Sequence, residues 1–574
     1  MRIGDYLIEV NTAKAYAAVE GADGRPWFKL RLFTALDTAG GVDETYGDVV
    51  VEQKELPDEL VLTTTCRSTV WDTRTTVTRF LPDRIESSTT VSGRGRITDC
   101  HLLGGRRTPR GFLPSGSRLE QAWSPNPDHP SRELRDALEP ATIGPCGEGS
   151  EPGIERWLFS PAPWCFAVTP GSAYWIGLSL VAPIAEQTFT NYHYAPVTGG
   201  FSLRLDYEGQ TSVDGTFRTP LLVVHLGGSD PVHVLARHRA LLDEYGVVPQ
   251  RTAEQPDWWQ GPIFCGWGAQ CAIGARTGQS PQPLATEANY DRFLETLSGR
   301  GIVPSTVVID DKWQERYATC RPDPRKWTDL RGWIARRHAQ GQRVLLWWKA
   351  WDEEGAPAEA CITDAAGVPV SLDPEAPACR ALITDAVEYM LSSDGLDADG
   401  FKIDFTARTP SGASLRHSGH LWGTALLHAQ LALVHDTAKR VKPDALIVTH
   451  TPNPAFLDVT DLIRLNDVLR DDEAAPGYVA RHMEYRAAVV RAAVPELGID
   501  TDGWIMPSHA EWRAYLEIQP ELGVPALYYA DGTDTDRFDF GPEDFAAIRE
   551  SWQRSRERWH AETPGTTPRP RSSA

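Results

Sequence analysis

The stretch Gly400-Phe401-Lys402-Ile403-Asp404-Phe405 predicts a short buried strand that ends in charged side chains. Residues two apart in a strand share a face, so Lys402 and Asp404 point one way and the apolar residues point the other. A lysine and a carboxylate in an apolar strand are costly to bury unless they are paired or used. The stretch therefore indicates either a structural ion pair at a strand end or a functional site.

On both sides of this strand, apolar strands alternate with amphipathic helices, a pattern typical of parallel β/α units. Eight candidate strands predict a closed (β/α)8 TIM barrel over residues 257–560. The strands are 263–267, 306–310, 343–348, 400–405, 445–450, 461–466, 498–504 and 526–529. The helices are 286–298, 329–340, 378–391, 420–440, 480–493, 509–517 and 545–559.

Residues 1–230 carry a different pattern. Short alternating runs rich in Val, Thr, Tyr and Phe, separated by turn residues, predict an N-terminal β-sandwich domain. Residues 231–256 predict a helical linker, and residues 561–574 predict a disordered tail. The expected fold class is thus α/β plus all-β, with the sandwich preceding the barrel.

Composition narrows the class of partner. The 574 residues are 41% hydrophobic and 24% charged, as in a soluble globular protein. The net charge of −21, with no run of lysine or arginine, argues against a nucleic-acid partner and suits a neutral small molecule. The sequence shows no signal peptide and no membrane span, and its nine cysteines are scattered, so we expect a cytoplasmic protein without a membrane partner.

Metal chemistry is not expected, because the 15 histidines are dispersed and form no H-x-H or H-E-x-x-H pattern. We therefore predict that the protein uses no cofactor. Cys265 and Cys271 lie near a predicted strand end, and we interpret them as small core residues. The oligomeric state is not readable from the sequence.

In barrel enzymes the chemistry lies at the C-terminal ends of the strands. There the predicted strands carry carboxylates, cations and indoles, namely Asp310, Asp311, Trp348, Lys402, Asp404, Arg464 and Asp467. Carboxylates accept hydrogen bonds from hydroxyl groups, cations donate them, and indoles cover the apolar side of a pyranose. This mixture predicts a sugar-binding pocket with an oligosaccharide or glycoside as substrate.

Glycoside cleavage needs two carboxyl groups flanking the anomeric carbon, about 5 Å apart in the retaining mechanism. Asp404 on the fourth strand and Asp467 after the sixth can face each other across the barrel mouth. Lys402 could lower the pKa of Asp404 and keep it ionised, whereas the acid has to hold a proton near neutrality.

Three segments of this barrel carry a resemblance to a known family. Asp310-Asp311-Lys312-Trp313 is similar to its D-D-G-W element, Lys402-Ile403-Asp404 to its K-x-D, and Arg464-Leu465-Asn466-Asp467 to its Arg-to-Asp element. Over residues 255–560 the chain resembles the melibiase-like clan of retaining α-glycosidases, which includes α-galactosidases, α-N-acetylgalactosaminidases and raffinose-synthase-type transferases.

The resemblance implies hydrolysis of terminal α-linked hexosides, with α-galactosides first. Asp404 would be the nucleophile that forms a covalent glycosyl intermediate, and Asp467 the general acid/base. The residues implied to bind substrate are Asp310 and Asp311 (distal hydroxyls), Lys402 (a hydroxyl beside the nucleophile), Arg464 (the acid/base or the 2-position), and Trp267 and Trp348 (pocket walls).

The sequence also departs from the family pattern. Lys312 replaces the usual glycine, and the fifth strand ends in His450-Thr451-Pro452-Asn453-Pro454 instead of a Cys- and Gly-rich turn. The family's C-terminal β-domain has no counterpart in the pattern after the barrel. The sugar therefore stays open, with α-glucosidase-type hydrolysis and α-transglycosylation as alternatives.

Each candidate residue has a structural alternative. Asp310 or Asp311 could cap a turn, and Asp471 and Asp472 could be acids at a helix N-terminus or rivals of Asp467 for the acid/base role. His450 is either a satisfied polar residue or a substrate contact.

Two other functions compete with glycoside hydrolysis. Lys402 could form a Schiff base in an aldolase-like lyase, or the chain could be a noncatalytic carbohydrate-binding relative. A further hypothesis is that residues 191–194 of the sandwich contribute to the substrate pocket.

Overall fold

The computed structural model describes residues 1–24, 26–108, 112–114, 119–126, 134–146, 159–169, 174–197, 200–251 and 255–562. The predicted tail therefore lies outside the described residues from position 563 onward, while 561 and 562 complete the last helix.

Among the described residues, the N-terminal part forms one continuous antiparallel sheet of 18 strands. Alternate side chains of a strand such as β7 are buried, as expected for a sheet with one face on a core. The strands are β1 (Arg2–Ile3), β2 (Tyr6–Asn11), β3 (Tyr16–Gly21), β4 (Pro26–Arg31), β5 (Ala35–Thr38), β6 (Thr45–Leu56), β7 (Glu59–Ser68), β8 (Thr73–Phe80), β9 (Arg84–Leu102), β10 (Phe112–Pro114), β11 (Gln121–Trp123), β12 (Leu134–Asp136), β13 (Ala141–Ile143), β14 (Cys165–Thr169), β15 (Trp175–Val181), β16 (Asn191–Val197), β17 (Gly200–Arg218) and β18 (Leu221–Gly228).

Helix α1 (Pro231–Glu244) joins this β domain to the barrel. Its first turn is set by the Asp230 side chain, which accepts a hydrogen bond from the backbone N–H of His233, and by Pro231 at the first helical position.

The C-terminal part is a barrel of eight parallel strands. A separate antiparallel hairpin, β22 (Cys361–Thr363) and β23 (Pro369–Leu372), lies in the chain between two barrel strands. The eight barrel strands are β19 (Ile263–Cys265), β20 (Thr306–Ile309), β21 (Arg343–Lys349), β24 (Gly400–Asp404), β25 (Leu446–Thr449), β26 (Leu462–Arg464), β27 (Gly498–Asp500) and β28 (Ala526–Leu527). The sheet order is β27-β26-β25-β24-β21-β20-β19-β28, and a parallel bridge between Asp500 and Val524 brings its two ends together. The expected fold class, a β domain followed by a (β/α)8 barrel, is confirmed.

The helices that surround the barrel are α2 (Trp267–Thr277), α3 (Glu287–Ser298), α4 (Leu330–Ala339), α5 (Pro377–Leu391), α6 (Gly423–Val441), α7 (Tyr478–Ala493), α8 (His509–Leu522) and α9 (Pro542–Glu562). Helix α2 was not predicted from the sequence, because the first predicted strand was extended to Trp267. In the structure β19 ends at Cys265, and Trp267 is the first residue of α2. Among the described residues, no helix has both the length and the apolar character needed to cross a membrane.

Candidate active site

The C-terminal ends of the barrel strands bring the predicted carboxylates together on one guanidinium. Arg464, the last residue of β26, donates from Nη2 to Asp404 Oδ1 (2.9 Å) and from Nη1 to Asp467 Oδ1 (3.1 Å). Nη1 also donates to Asp502 Oδ2 (2.8 Å). Only 1% of the Arg464 side chain is exposed, so its charge acts on these three carboxyl groups and not on solvent.

Asp404 is placed as a carboxylate at the end of β24. Its Oδ1 also accepts the backbone N–H of Phe405 (2.8 Å), and its Oδ2 accepts Trp347 Nε1–H (3.2 Å). Burial acts to raise the pKa of Asp404, but the positive charges of Arg464 and Lys402 prevail and hold that pKa well below its ordinary range. The group is therefore ionised at neutral pH.

Asp467 lies in the opposite electrostatic situation. Burial, together with the negative charges of Asp502 and Asp404, raises the pKa of Asp467 to about 7, although Arg464 acts to lower it. Its side chain is 37% exposed, so this carboxyl reaches the barrel mouth. One of the paired carboxyl groups is thus a base and the other holds a proton near neutrality, the division that acid-assisted displacement requires.

Asp467 and its two rivals have different surroundings. Asp471 Oδ1 accepts the backbone N–H of Glu473, and Asp472 is 84% exposed beside Arg470. Both aspartates lie in the segment before helix α7, whereas Asp467 binds the Arg464 guanidinium.

Lys402 and Asp310 form a buried ion pair at the base of the site. Lys402 Nζ donates to Asp310 Oδ2 (2.7 Å), which also accepts Cys265 Sγ–H (3.0 Å). The Lys402 and Asp310 side chains are only 4% and 3% exposed. Burial acts to lower the pKa of Lys402, but the Asp310 carboxylate raises it above its ordinary value, so the ammonium stays charged.

Asp311 faces a neighbouring tyrosine. Its Oδ1 accepts the Tyr317 hydroxyl (2.8 Å), and burial raises the pKa of Asp311 to about 6. The turn-capping alternative applies in part to its neighbour, since Asp310 Oδ1 accepts the backbone N–H of Asp311 (2.8 Å).

The indole that contacts the candidate nucleophile is Trp347, one residue before the tryptophan expected from the sequence. Trp347 pairs in register with Lys402 and shares its face, whereas Trp348 pairs with Ile403. Trp348 packs edge-to-face on Phe401 with ring centroids 5.4 Å apart, so it belongs to the outer layer and not to the pocket wall. The expectation for Trp348 is corrected accordingly.

Trp267, the other expected wall, packs edge-to-face against Trp504 with ring centroids 5.5 Å apart. Trp267 follows β19 and Trp504 follows β27, so the two indoles stand side by side at the same rim of the barrel.

His450 lies behind Arg464, with 1% of its surface exposed. Its Nε2 is 2.7 Å from Thr406 Oγ1, and its Nδ1 is 3.5 Å from Arg464 Nη2. Burial lowers the pKa of His450 to about 3, which makes the ring neutral at physiological pH. This placement matches the satisfied polar residue that the sequence analysis weighed against a direct substrate contact.

The hypothesis that residues 191–194 complete the pocket does not hold for Tyr192. These residues belong to β16, and Tyr192 is fully buried with its hydroxyl on the carbonyl oxygen of Leu178. The β domain instead approaches the site at Ser160, whose Oγ is 2.5 Å from Thr406 Oγ1.

Sequence reasoning missed Asp502, the third carboxylate on Arg464. The predicted seventh strand ran from 498 to 504 and made this aspartate an ordinary strand residue, whereas β27 ends at Asp500. Two aspartates, one at the end of a barrel strand and one just after it, were the signal that could have identified it.

Four residues that directly follow or flank the strand ends have left-handed backbone, which costs about 1–2 kcal/mol for residues such as lysine and phenylalanine and less for asparagine and aspartate. They are Lys312 (φ 69°), Phe405 (φ 60°), Asn466 (φ 69°) and Asp502 (φ 55°). Such conformations gather at functional sites, where the surrounding structure enforces them. Among the described residues, no group of three or more His, Cys, Asp or Glu side chains is arranged to hold a metal ion.

The fold of this chain is similar to that of several solved proteins, although its sequence matches none of the known family models or curated sequences. The solved structure of a GH31 family sulfoquinovosidase from E. rectale aligns over 96% of this chain and 82% of its own, with a TM-score of 0.60 at 12% identity. An α-galactosidase from Thermus thermophilus, solved with stachyose, aligns over 87% of this chain and 99% of its own, with a TM-score of 0.53 at 14% identity.

A third solved structure, a cycloalternan-forming enzyme from Listeria monocytogenes, covers 93% of this chain and 56% of its own, with a TM-score of 0.52 at 12% identity. At these identities the likeness establishes a shared fold: a β domain followed by a (β/α)8 barrel.

Proposed function

We propose that this protein is a retaining α-glycosidase that hydrolyses terminal α-linked hexosides, α-galactosides first. The observation that carries the proposal is the guanidinium of Arg464, which joins Asp404 and Asp467. Arg464 brings the two carboxyl groups into one site through separate nitrogens of its guanidinium. The separation of about 5 Å that a retaining enzyme uses is part of the proposal, and retention itself rests on the family resemblance.

The proposed first step is attack by an Asp404 carboxylate oxygen on the anomeric carbon, while Asp467 donates its proton to the departing glycosidic oxygen. This leaves a glycosyl ester on Asp404 and a carboxylate on Asp467. In the second step Asp467 takes a proton from water, which attacks the same carbon and releases the sugar with its anomeric configuration retained.

The proposed binding residues surround this pair. Asp310 and Asp311 present carboxylate oxygens to distal hydroxyl groups, and Lys402 holds Asp310 in place (2.7 Å). Trp347 and Trp267 supply aromatic surface for the apolar side of the ring. Arg464 contacts both reacting carboxyl groups, as expected for charge developing in the transition state.

The solved neighbours support the substrate class. Their names describe an α-galactosidase bound to stachyose and a sulfoquinovosidase bound to an aza-sugar inhibitor. Because the chain has only 12–14% identity to them, the sugar itself rests on the resemblance of the Asp310-Asp311 segment to the hydroxyl-reading pair of α-galactosidases.

Transglycosylation is the second candidate, because it uses the same covalent intermediate with a sugar hydroxyl in place of water. The fold likeness to a cycloalternan-forming enzyme supports transglycosylation as a candidate. The Schiff-base alternative is disfavoured, since Lys402 is bound to Asp310 as a charged ammonium and has no free amine for attack.

The test is release of the leaving group from a panel of aryl α- and β-glycosides by the wild type, Asp404→Asn and Asp467→Asn proteins. We expect turnover of one α-glycoside, a fall of at least about 10³-fold in Asp404→Asn, and first-formed product of α configuration by NMR. In Asp467→Asn, aryl groups that leave without a proton should retain more turnover than alkyl groups.

Product analysis at high acceptor concentration then separates hydrolysis from transfer. Binding of sugars without turnover would leave the noncatalytic reading, and turnover indifferent to Asp404 would contradict the proposal.

A further inference from the structure

Asp502 shares one nitrogen of Arg464 with the proposed acid. Arg464 Nη1 is 2.8 Å from Asp502 Oδ2 and 3.1 Å from Asp467 Oδ1, so both carboxyl groups draw on the same N–H face of the guanidinium. Asp502 is fully buried, whereas Asp467 reaches the mouth with 37% of its side chain exposed. Only Asp467 can therefore meet a leaving group.

Asp502 is firmly held. Its Oδ2 accepts Arg464 Nη1–H, and its Oδ1 accepts the backbone N–H groups of Gly503 (2.5 Å) and Trp504 (3.2 Å). In each of these bonds the Asp502 carboxyl is the acceptor, as in a carboxylate. Its backbone is left-handed (φ 55°), a conformation that aspartate tolerates better than most residues because its short side chain can bond nearby backbone groups.

The charge balance gives this contact a consequence. One buried cation faces three carboxyl groups, and Asp404 already occupies Nη2. If Asp502 were neutral, the guanidinium would have only Asp404 as a fixed counter-charge and would favour the carboxylate form of Asp467.

We propose that Asp502 is a positioning residue that engages Arg464 Nη1 and so keeps the guanidinium charge from drawing the proton off Asp467. This inference deepens the proposed function and rests on it, because it assumes that Asp467 is the acid. The raised pKa of Asp467, with burial as its first cause and the charge of Asp502 as a contributor, agrees with it.

The other charged or titratable groups around Asp467 come from the neighbouring elements. They are Lys402 and Asp404 (β24), Cys271 (α2) and Arg486 (α7), while His450 (after β25) and Asp500 (β27) act on Arg464 and Asp502. Lys402 is bound to Asp310, and Arg486 donates to the backbone carbonyl oxygen of Asp467 (2.9 Å) and not to its carboxyl. None of these groups replaces Asp502 on Arg464 Nη1.

The test is the pH profile of kcat/KM for Asp502→Asn and for the wild type on the aryl α-glycoside that the panel identifies. Removing the charge should move the alkaline limb to lower pH by about 1–2 pH units. Asp502→Glu, which keeps the charge, should return the limb toward the wild-type position. A purely structural role would lower kcat/KM at every pH without moving the limb.

The outcomes separate the two proposals. If the wild type turns over no glycoside, the proposed function fails. If the wild type is active but Asp467→Asn keeps the alkaline limb, the assignment of Asp467 as the acid fails, and the role of Asp502 with it. If the wild type is active and the limb of Asp502→Asn stays in place, only the role of Asp502 is overturned.

A second neutral variant, Asp502→Ser, guards against misfolding of the first. A shifted limb in either variant supports the proposal. Circular dichroism showing that both are unfolded would assign Asp502 to the fold and overturn its role in proton retention.

Discussion

At the scale of single residues, the site turns one residue type into two chemical states. Asp404 and Asp467 both touch Arg464, but Asp404 also receives a backbone N–H and an indole N–H, which favour its carboxylate. Asp467 lies near two other carboxyl groups, which favour its protonated form. The same arginine thus serves a base and an acid because their remaining neighbours differ.

The first prediction concerns the wild-type pH profile. Since the pKa of Asp467 is raised to about 7, kcat/KM should fall as pH rises through that value. The acid limb should lie below the ordinary carboxyl range, because the pKa of Asp404 is lowered. Initial rates between pH 3 and 9 should therefore show the alkaline limb and no acid limb in the ordinary carboxyl range at about pH 4.

Two variants assign the limbs. Asp467→Asn should lack the alkaline limb, while Asp311→Asn tests whether the nearby carboxyl with a pKa raised to about 6 contributes instead. A limb that disappears in Asp311→Asn and persists in Asp467→Asn would contradict the assignment.

The second prediction concerns Asp500, which is 4% exposed and has its pKa raised by burial from 3.8 to about 7. Because the folded state holds this proton more tightly than the unfolded state, the stability it contributes is full below pH 3.8 and is lost as pH rises to about 7. Asp500→Asn should therefore be more stable than the wild type at pH 8, by about 1–3 kcal/mol, and close to it at pH 4.

Urea unfolding at the two pH values measures this difference. Asp472→Asn, at a position that is 84% exposed, is the control and should leave the free energy of unfolding unchanged at both. An Asp500→Asn protein that is less stable than the wild type at pH 8 would show that its carboxylate is stabilised in the fold.

At the scale of elements, the turns after the barrel strands aim the side chains. Lys312 follows β20 with φ 69°, at the position where the resembled family has glycine. Its ammonium lies 3.7 Å from the centroid of the Tyr317 ring and pairs with Glu354. The side chain thus braces the tyrosine that donates to Asp311.

The third prediction separates backbone strain from side-chain contacts at this turn. Lys312→Gly and Lys312→Ala both remove the ammonium, but only glycine adopts φ 69° without steric cost. The free energy of unfolding of the glycine variant should be about 1 kcal/mol higher than that of the alanine variant. Chemical denaturation of the pair measures it, and equal or greater stability of the alanine variant would count against strain here.

The elements themselves were largely predictable, because helix and strand periods differ. All eight barrel strands and seven of the helices follow from that periodicity, as the fourth strand shows: predicted at 400–405, it spans Gly400–Asp404. Helix α2 was missed because an apolar strand runs directly into a glycine-rich helix.

The residue types of the site were predictable from the sequence, but which side chains of a strand point into the barrel was less so. Asp404, Asp467 and Arg464 stand next to each other because strand ends meet at one rim. The strand β21 is buried on both faces, so alternation could not decide between Trp347 and Trp348. The split in pKa values depends on charges from separate strands, which no single segment of sequence contains.

At the scale of the whole molecule, the β domain holds the segment that follows the proposed nucleophile. Glu208 of β17 accepts hydrogen bonds from the Ser411 hydroxyl, the Gly412 backbone N–H (2.9 Å) and Trp422 Nε1–H (3.0 Å). Thr406 contacts Ser160 and His450, which links the same segment to the base of the site. The N-terminal domain is therefore part of the architecture of the site.

The fourth prediction follows from this contact between the domains. Glu208→Ala removes three hydrogen bonds to one side chain, and bonds to a charged group contribute about 1.5–3 kcal/mol each. We expect a lower Tm and a kcat/KM reduced about tenfold, because residues 405–422 directly follow the proposed nucleophile Asp404 and lose their anchor. Glu186→Ala, which removes an exposed acid of the same domain, should change neither quantity. A Glu208→Ala protein with a lower Tm but wild-type kcat/KM would mean that the domains stabilise each other without shaping the site.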